Sequence, residues 1–121
     1  MWVWRIVTNP VAGSVIGTMT GRSNTVFSLM GIYVSHSNTA PVTVVVRTRH
    51  ETSGETRNFF MVIVPAQSTF VFNSPDDPVI PDIGAGADEV LEIVTETGGA
   101  YTLSIGLNIR GFVLLATDWI I

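Results

Sequence analysis

Cysteine and lysine are both absent from the 121 residues of this chain. The first absence excludes disulfide frameworks and cysteine-ligated zinc. The second leaves arginine as the only source of fixed positive charge. Charge of either sign is scarce, since Asp, Glu, Lys and Arg together make up 13% of the residues, against a usual ~25%. The net charge is -4, so the clustered cations that grip phosphate backbones are missing and no nucleic-acid partner is expected. No continuous apolar segment reaches the ~20 residues of a membrane helix. The opening "MWVWRIVTNP" has no basic leader followed by an apolar block, so neither a membrane span nor a secretory signal is expected. Histidine is limited to His36 in "SHSN" and His50 in "HETSGE". Neither belongs to a spaced ligand set, and both read as plain surface or turn residues.

What is present is alternation with a period of two. In "PVTVVVRTR", Val42, Val44 and Val46 point to one face, while Thr43, Val45, Arg47 and Arg49 point to the other. In "VLEIVTETGGAYTLSIGLNI", Leu91, Ile93 and Thr95 oppose Glu92, Val94 and Glu96. Beyond Gly98-Gly99, an apolar row runs through Tyr101, Leu103, Ile105, Leu107 and Ile109. Gly-Gly between two such runs predicts a hairpin. "TVFSLMGIYVS" is a long strand with Gly31 as a bulge or close-contact point.

The uncharged stretch "NFFMVIVPAQSTFVFN" is broken by Pro65, which disfavours helical geometry at Val64. It reads as two strands and a corner, with Phe70 and Phe72 facing away from Thr69, Val71 and Asn73. Strands are expected at 2–7, 14–19, 25–35, 41–49, 58–64, 69–73, 89–96 and 100–109, with 112–120 as a further candidate. "SPDDPVIPDIGAGADE" is read as an irregular surface loop because of its prolines and glycines. The whole chain, 1–121, is then one all-β domain of about eight strands, a β-sandwich of jelly-roll or Greek-key type. At this length it buries roughly two-thirds of its unfolded surface and needs no cross-link to fold.

Catalytic and cofactor motifs are missing. No Gly-x-Ser-x-Gly elbow occurs, and "GAGAD" lacks the third glycine and following helix of a phosphate loop. Asp76, Asp77, Asp82 and Asp88 do not match a calcium loop, and a solvated acidic loop is the expectation, with calcium bridging as the alternative. No enzyme, metal or cofactor is expected. The surplus is in apolar surface. "MWVW" and "FVLLATDWII" place tryptophans and isoleucines at both ends, where they either pair as core strands or meet another subunit. Trp2, Trp4, Trp119, Ile120 and Ile121, with Arg47 and Arg49, are the candidate interface residues. A symmetric homo-oligomer is expected, with a trimer favoured.

At "GIYVSHSNTAPVTVVVRTR", "VIVPAQSTFVF" and "ADEVLEIVTETGGAYTLSIG", the chain resembles a loose family of small phage virion proteins. Those proteins share a strand ending in a Ser/Asn turn, a Val/Thr strand, a Val-Pro-Ala-Gly-Ser-Thr corner and a final hairpin after a Gly-Asp turn. Here Gln67 takes the place of the corner glycine, and the last turn enters through Gly86-Ala87-Asp88. The resemblance covers roughly residues 31–107. It implies a non-enzymatic building block of a virus particle, with the major capsid protein or other virion proteins as partners and no catalytic residues. Decoration of the capsid surface is the leading expectation, and a place in the tail, connector or baseplate is the alternative. A reading of another class is a glycan-binding jelly roll, which requires Tyr33, Tyr101 or a tryptophan exposed beside polar groups.

Overall fold

The structure, a computed structural model, describes residues 1–20 and 25–111, together with the backbone of 119–120. The described residues form ten strands: β1 (Trp2–Thr8), β2 (Ser14–Met19), β3 (Phe27–His36), β4 (Val42–His50), β5 (Thr56–Val64), β6 (Thr69–Asn73), β7 (Ile80–Ile83), β8 (Glu89–Thr95), β9 (Thr102–Gly111) and β10 (Trp119–Ile120). Among them the only helical element is a short 3-10 turn at Ala85–Ala87. None of their helices is long and apolar enough to cross a membrane.

One sheet has the order β1-β9-β3-β6, with β7 also on β3, and the other has the order β10-β2-β8-β4-β5. Every pairing is antiparallel. Setting β7 and β10 aside, the orders 1-9-3-6 and 2-8-4-5 are the two four-stranded sheets of a jelly roll. We call the first sheet A and the second sheet B. The alternating residues read from the sequence fill the space between them: Val42, Val44 and Val46, Leu91 and Ile93, and the row Leu103, Ile105, Leu107 and Ile109 are all buried.

Several sequence expectations change. Gly98-Gly99 does not close a hairpin, because β8 lies in sheet B and β9 in sheet A. The glycines serve a crossover instead. A Cβ on Gly98 would stand 2.6 Å from the Ala12 nitrogen, and Gly99 N–H donates to the Pro10 carbonyl at 3.1 Å. The segment containing three prolines also yields a strand. In β7, Ile80 and Ile83 are buried against β3 while Pro81 and Asp82 point outward. An edge position tolerates proline, whose missing N–H faces away from the ladder.

The corner at Pro65 forms as expected and carries β5 in sheet B over to β6 in sheet A. Gln67 stands there with a φ of 49°, the left-handed geometry that a glycine adopts without cost. His36 is not a surface residue, being only 6% exposed. Its Nδ1 accepts the Asn38 N–H at 3.1 Å, so Nε2 carries the proton and donates to the carbonyls of Val64 (3.1 Å) and Pro65 (2.8 Å). The imidazole thus pins the corner to the end of β3. His36→Leu keeps the bulk and removes the donor, and is expected to cost about 1–2 kcal/mol of stability. Urea titration of the variant checks this, and an unchanged midpoint would discount the pin.

Candidate functional site

The outer face of sheet A is built by alternation. Leu103, Ile105, Leu107 and Ile109 of β9 point into the core, so Ser104, Gly106 and Asn108 must point out. The pairings of β1, β9, β3 and β6 align these residues into three cross-strand rows. The middle row is Trp4, Gly106, Tyr33 and Val71. To one side lie Trp2, Asn108, Gly31 and Asn73, and to the other Ile6, Ser104, Ser35 and Thr69.

Glycines make the rows flat enough to be crossed. The six-membered ring of Trp4 fills the space above Gly106, where a Cβ would come within 2.5 Å of it. The indole thereby spans β9 and meets Tyr33 edge-on, with ring centres 5.1 Å apart, while Trp2 stacks beside it at 5.6 Å. Trp4 nevertheless keeps 58% of its surface in solvent. In the neighbouring row, Asn108 Nδ2 donates to Asn73 Oδ1 at 2.8 Å across Gly31, and Asn108 Oδ1 accepts from the Met1 amino group at 3.1 Å. In the third row Thr69 Oγ1 donates to Ser35 Oγ at 3.0 Å. An aromatic strip is therefore bordered by amides on one side and hydroxyls on the other.

A second feature lies where the sheets part. β5 closes one edge of sheet B and β6 one edge of sheet A. Ile32, Phe60, Val62, Phe70, Phe72 and Val79 line an open cleft of about 370 Å³ between them. Beside it, Met61 and Ile63 are 60% and 61% exposed on the outer side of β5. The apolar run "FFMVIV" is thus an edge strand, buried on one side through Val62 and Val64 and open on the other.

The sequence-predicted residues separate cleanly. Trp2 and Trp4 stand together on the outer face of sheet A. Arg47 and Arg49 are not on an edge, because β4 lies between β8 and β5. They clamp the buried carboxylate of Glu92, with Arg47 Nε at 2.9 Å from Oε1 and Arg49 Nε at 3.2 Å from Oε2. The partner is the cross-strand neighbour on β8. β10 pairs through its backbone with Met19 and Thr18 of β2, so among the described residues the two chain ends do not pair with each other. The side chains of Trp119 and Ile120, and all of Ile121, lie outside the described residues.

Tyr101 is buried and donates its hydroxyl to the Thr97 carbonyl at 2.6 Å, which removes it from any surface platform. Asp88 accepts from Thr52 Oγ1 at 2.6 Å and faces His50 Nε2 at 3.3 Å. Among the described residues no three histidine, aspartate or glutamate side chains converge as a metal site would require. Sequence reasoning missed Asn73, Gly106 and Asn108. The outward parity of the last two was legible in β9, but their alignment with Trp4 and Tyr33 depends on strand order.

No protein-family model matches the chain, and no curated protein matches it in sequence. Solved structures resemble it in fold. PirA superposes with a TM-score of 0.57 at 9% identity, over 88% of this chain and 93% of that one. The CBM22-1-GH10 modules of xylanase 10B from Clostridium thermocellum, solved with xylohexaose, match with a TM-score of 0.51 at 14% identity. That match covers 88% of this chain and 21% of the xylanase chain. The cowpea mosaic virus top component gives a TM-score of 0.37 at 12% identity, over 94% of this chain and 91% of that one, a likeness too loose to define a shared topology.

Proposed function

We propose that this jelly roll is a non-enzymatic structural protein of a bacteriophage particle, a decoration or cement protein that self-associates as a trimer on the capsid surface. The observation that carries the reading is the uncovered apolar edge at β5 and β6. Met61, Ile63 and Phe72 are each about half exposed or more around an open cleft. An edge of this kind, with no proline or charge in its apolar half, invites contact with another chain. The sequence resemblance over residues 31–107 supports a virion setting. The mechanism is adhesive: contacts of about 1,000 Å² or more hold neighbouring shell subunits, and repetition over a lattice multiplies a modest gain.

Quantitative mass spectrometry of purified virions tests the placement. A copy number near that of the major shell subunit supports decoration, and a handful of copies moves the protein to a tail, connector or baseplate ring. Absence from the particle sinks the virion reading altogether. In solution, the double variant Met61→Glu/Ile63→Glu is expected to convert the oligomer to monomer in light scattering. Its unfolding free energy should stay within about 0.5 kcal/mol of the parent diluted to monomer, because both side chains already face water. An oligomer unaffected by the two charges would place the contact elsewhere.

A further inference from the structure

We propose that the outer face of sheet A binds a linear, uncharged oligosaccharide, which lies across the strands along the row Trp4, Gly106, Tyr33 and Val71. The inference does not depend on the virion reading, since it rests on a different face of the molecule.

Three properties of the face select this ligand. The first is its mixed chemistry. A pyranose ring has an apolar side of polarised C–H groups, which pack on the negative face of an aromatic ring, and a rim of hydroxyls. The face offers the matching arrangement, with tryptophan and tyrosine in the centre, amides on one side and hydroxyls on the other. A purely apolar protein patch would strand the Asn73 Nδ2 and the Ser104 hydroxyl, at the cost of burying unpaired polar atoms. A sugar brings a partner for each. Among the described residues, Asn73 Nδ2 has no hydrogen-bond partner while its Oδ1 is held by Asn108, so it stands ready as a donor.

The second property is charge. No residue in the three rows is ionisable apart from the weakly acidic Tyr33. The next outward side chain along β9 is Arg110, opposite Ser28 and beyond the amide row. The amino group of Met1 is engaged by Asn108 Oδ1 and the Ile109 carbonyl. With these charges at one end, the rows themselves give an anionic polysaccharide no advantage over a neutral one.

The third is extent. Four strands at ~4.8 Å spacing make the row about 14 Å long, so a chain of several sugars is needed to use it and a monosaccharide is not enough. The outer face of sheet B lacks this character. There Val45, Val90, Val94 and Glu92 are buried, no aromatic stands between them, and the row through Glu92, Arg47 and Asn58 is charged.

The test is calorimetric titration of the full chain with neutral linear hexasaccharides (cello-, xylo-, manno- and N-acetylchitohexaose), with hyaluronan hexasaccharide as the anionic probe. Saturable binding of at least one neutral hexaose is expected, with the corresponding monosaccharide at least about tenfold weaker. Trp4→Ala should weaken binding about tenfold or more, as loss of a central aromatic anchor does. Gly106→Val, which leaves every aromatic in place but displaces the Trp4 ring, should do the same. Should either variant fail to fold, Asn73→Ala at the far end of the face supplies the same readout with an expected loss of about threefold to tenfold. The proposal is overturned if no neutral hexaose binds, or if hyaluronan binds more tightly than all of them. It also falls if folded variants bind like the parent, or if acrylamide fails to quench Trp4 because another copy covers it.

Discussion

Gly31→Val is expected to destabilise the protein by about 3 kcal/mol, at the upper end of what overpacking costs, and to lower its melting temperature by roughly 10 °C. Gly31 sits in β3, between β9 and β6, at the point where a register shift bends the β9 pairing. A Cβ there would lie 2.6 Å from the Phe72 carbonyl oxygen, 2.6 Å from Asn73 Oδ1 and 3.0 Å from the Asn73 Cα. Two of those atoms are backbone, so no rotamer change relieves the contact and β6 itself must move. That displacement opens the Phe70 and Phe72 side of the core and separates Asn73 from Asn108. Gly106→Ala makes a useful contrast. Its obstruction is the outer part of the Trp4 side chain, which can swing into solvent, and a cost below about 1 kcal/mol is expected. Urea unfolding of both variants decides the matter, and equal costs would show that β6 is not held as closely as the geometry indicates.

Arg47→Met should cost nearly as much, about 2–3 kcal/mol, and for a different reason. Glu92 is 5% exposed, so its charge is tolerated only because two guanidinium groups reach it. Methionine preserves the packing of the stem and removes the nearer cation. What remains is Arg49, whose side chain is 37% exposed and whose Nε stands 3.2 Å from the carboxylate. Breaking one side of a buried pair leaves an incompletely compensated charge, which is the costly case. The solvent contact of both arginines screens part of the interaction, so the figure sits below the 3–5 kcal/mol of a fully buried pair. Adding Glu92→Met to Arg47→Met removes the stranded carboxylate and should recover most of the loss. Should the double variant prove less stable than the single, Glu92 would have to be held chiefly by something other than the arginine pair.

Much of the fold was legible in the sequence, because strand parity is a local property. Val42, Val44 and Val46 face inward as their alternation requires, and the corner at Pro65 follows from a residue that can neither donate a ladder bond nor continue a helix. Where two runs end up relative to each other is not local. Gly98-Gly99 has the appearance of a hairpin turn, yet the flanking strands belong to different sheets, and only the approach of Ala12 explains the glycine. Ile80 and Ile83 were hidden among prolines, since an edge strand needs few ladder bonds. His36 has the local signature of a turn residue, because its acceptors, the carbonyls of Val64 and Pro65, lie 28 and 29 positions along the chain. The binding face shows the same division. The exposure of Trp4 and Tyr33 beside polar groups could be posed as a question from the sequence, but the strip exists only because β1, β9, β3 and β6 lie side by side.

The order of the strands also governs how the molecule can be made. β1 is synthesised well before its partner, since among the described residues its one neighbour is β9, about a hundred residues later. Sheet B is in the same position, since among the described strands β8 is what joins β2 to the β4–β5 hairpin. Until roughly residue 89 has been synthesised, each sheet consists of fragments with open edges, and the apolar sides of β3, β4 and β5 lack the rows of β8 and β9 that complete the core. Contacts this distant in sequence form slowly, and unpaired strands waiting for a partner are prone to associate with other chains. A nascent chain stalled before β8 is therefore a set of sticky hairpins, and the last two dozen residues of the jelly roll turn it into a protein in a single late step.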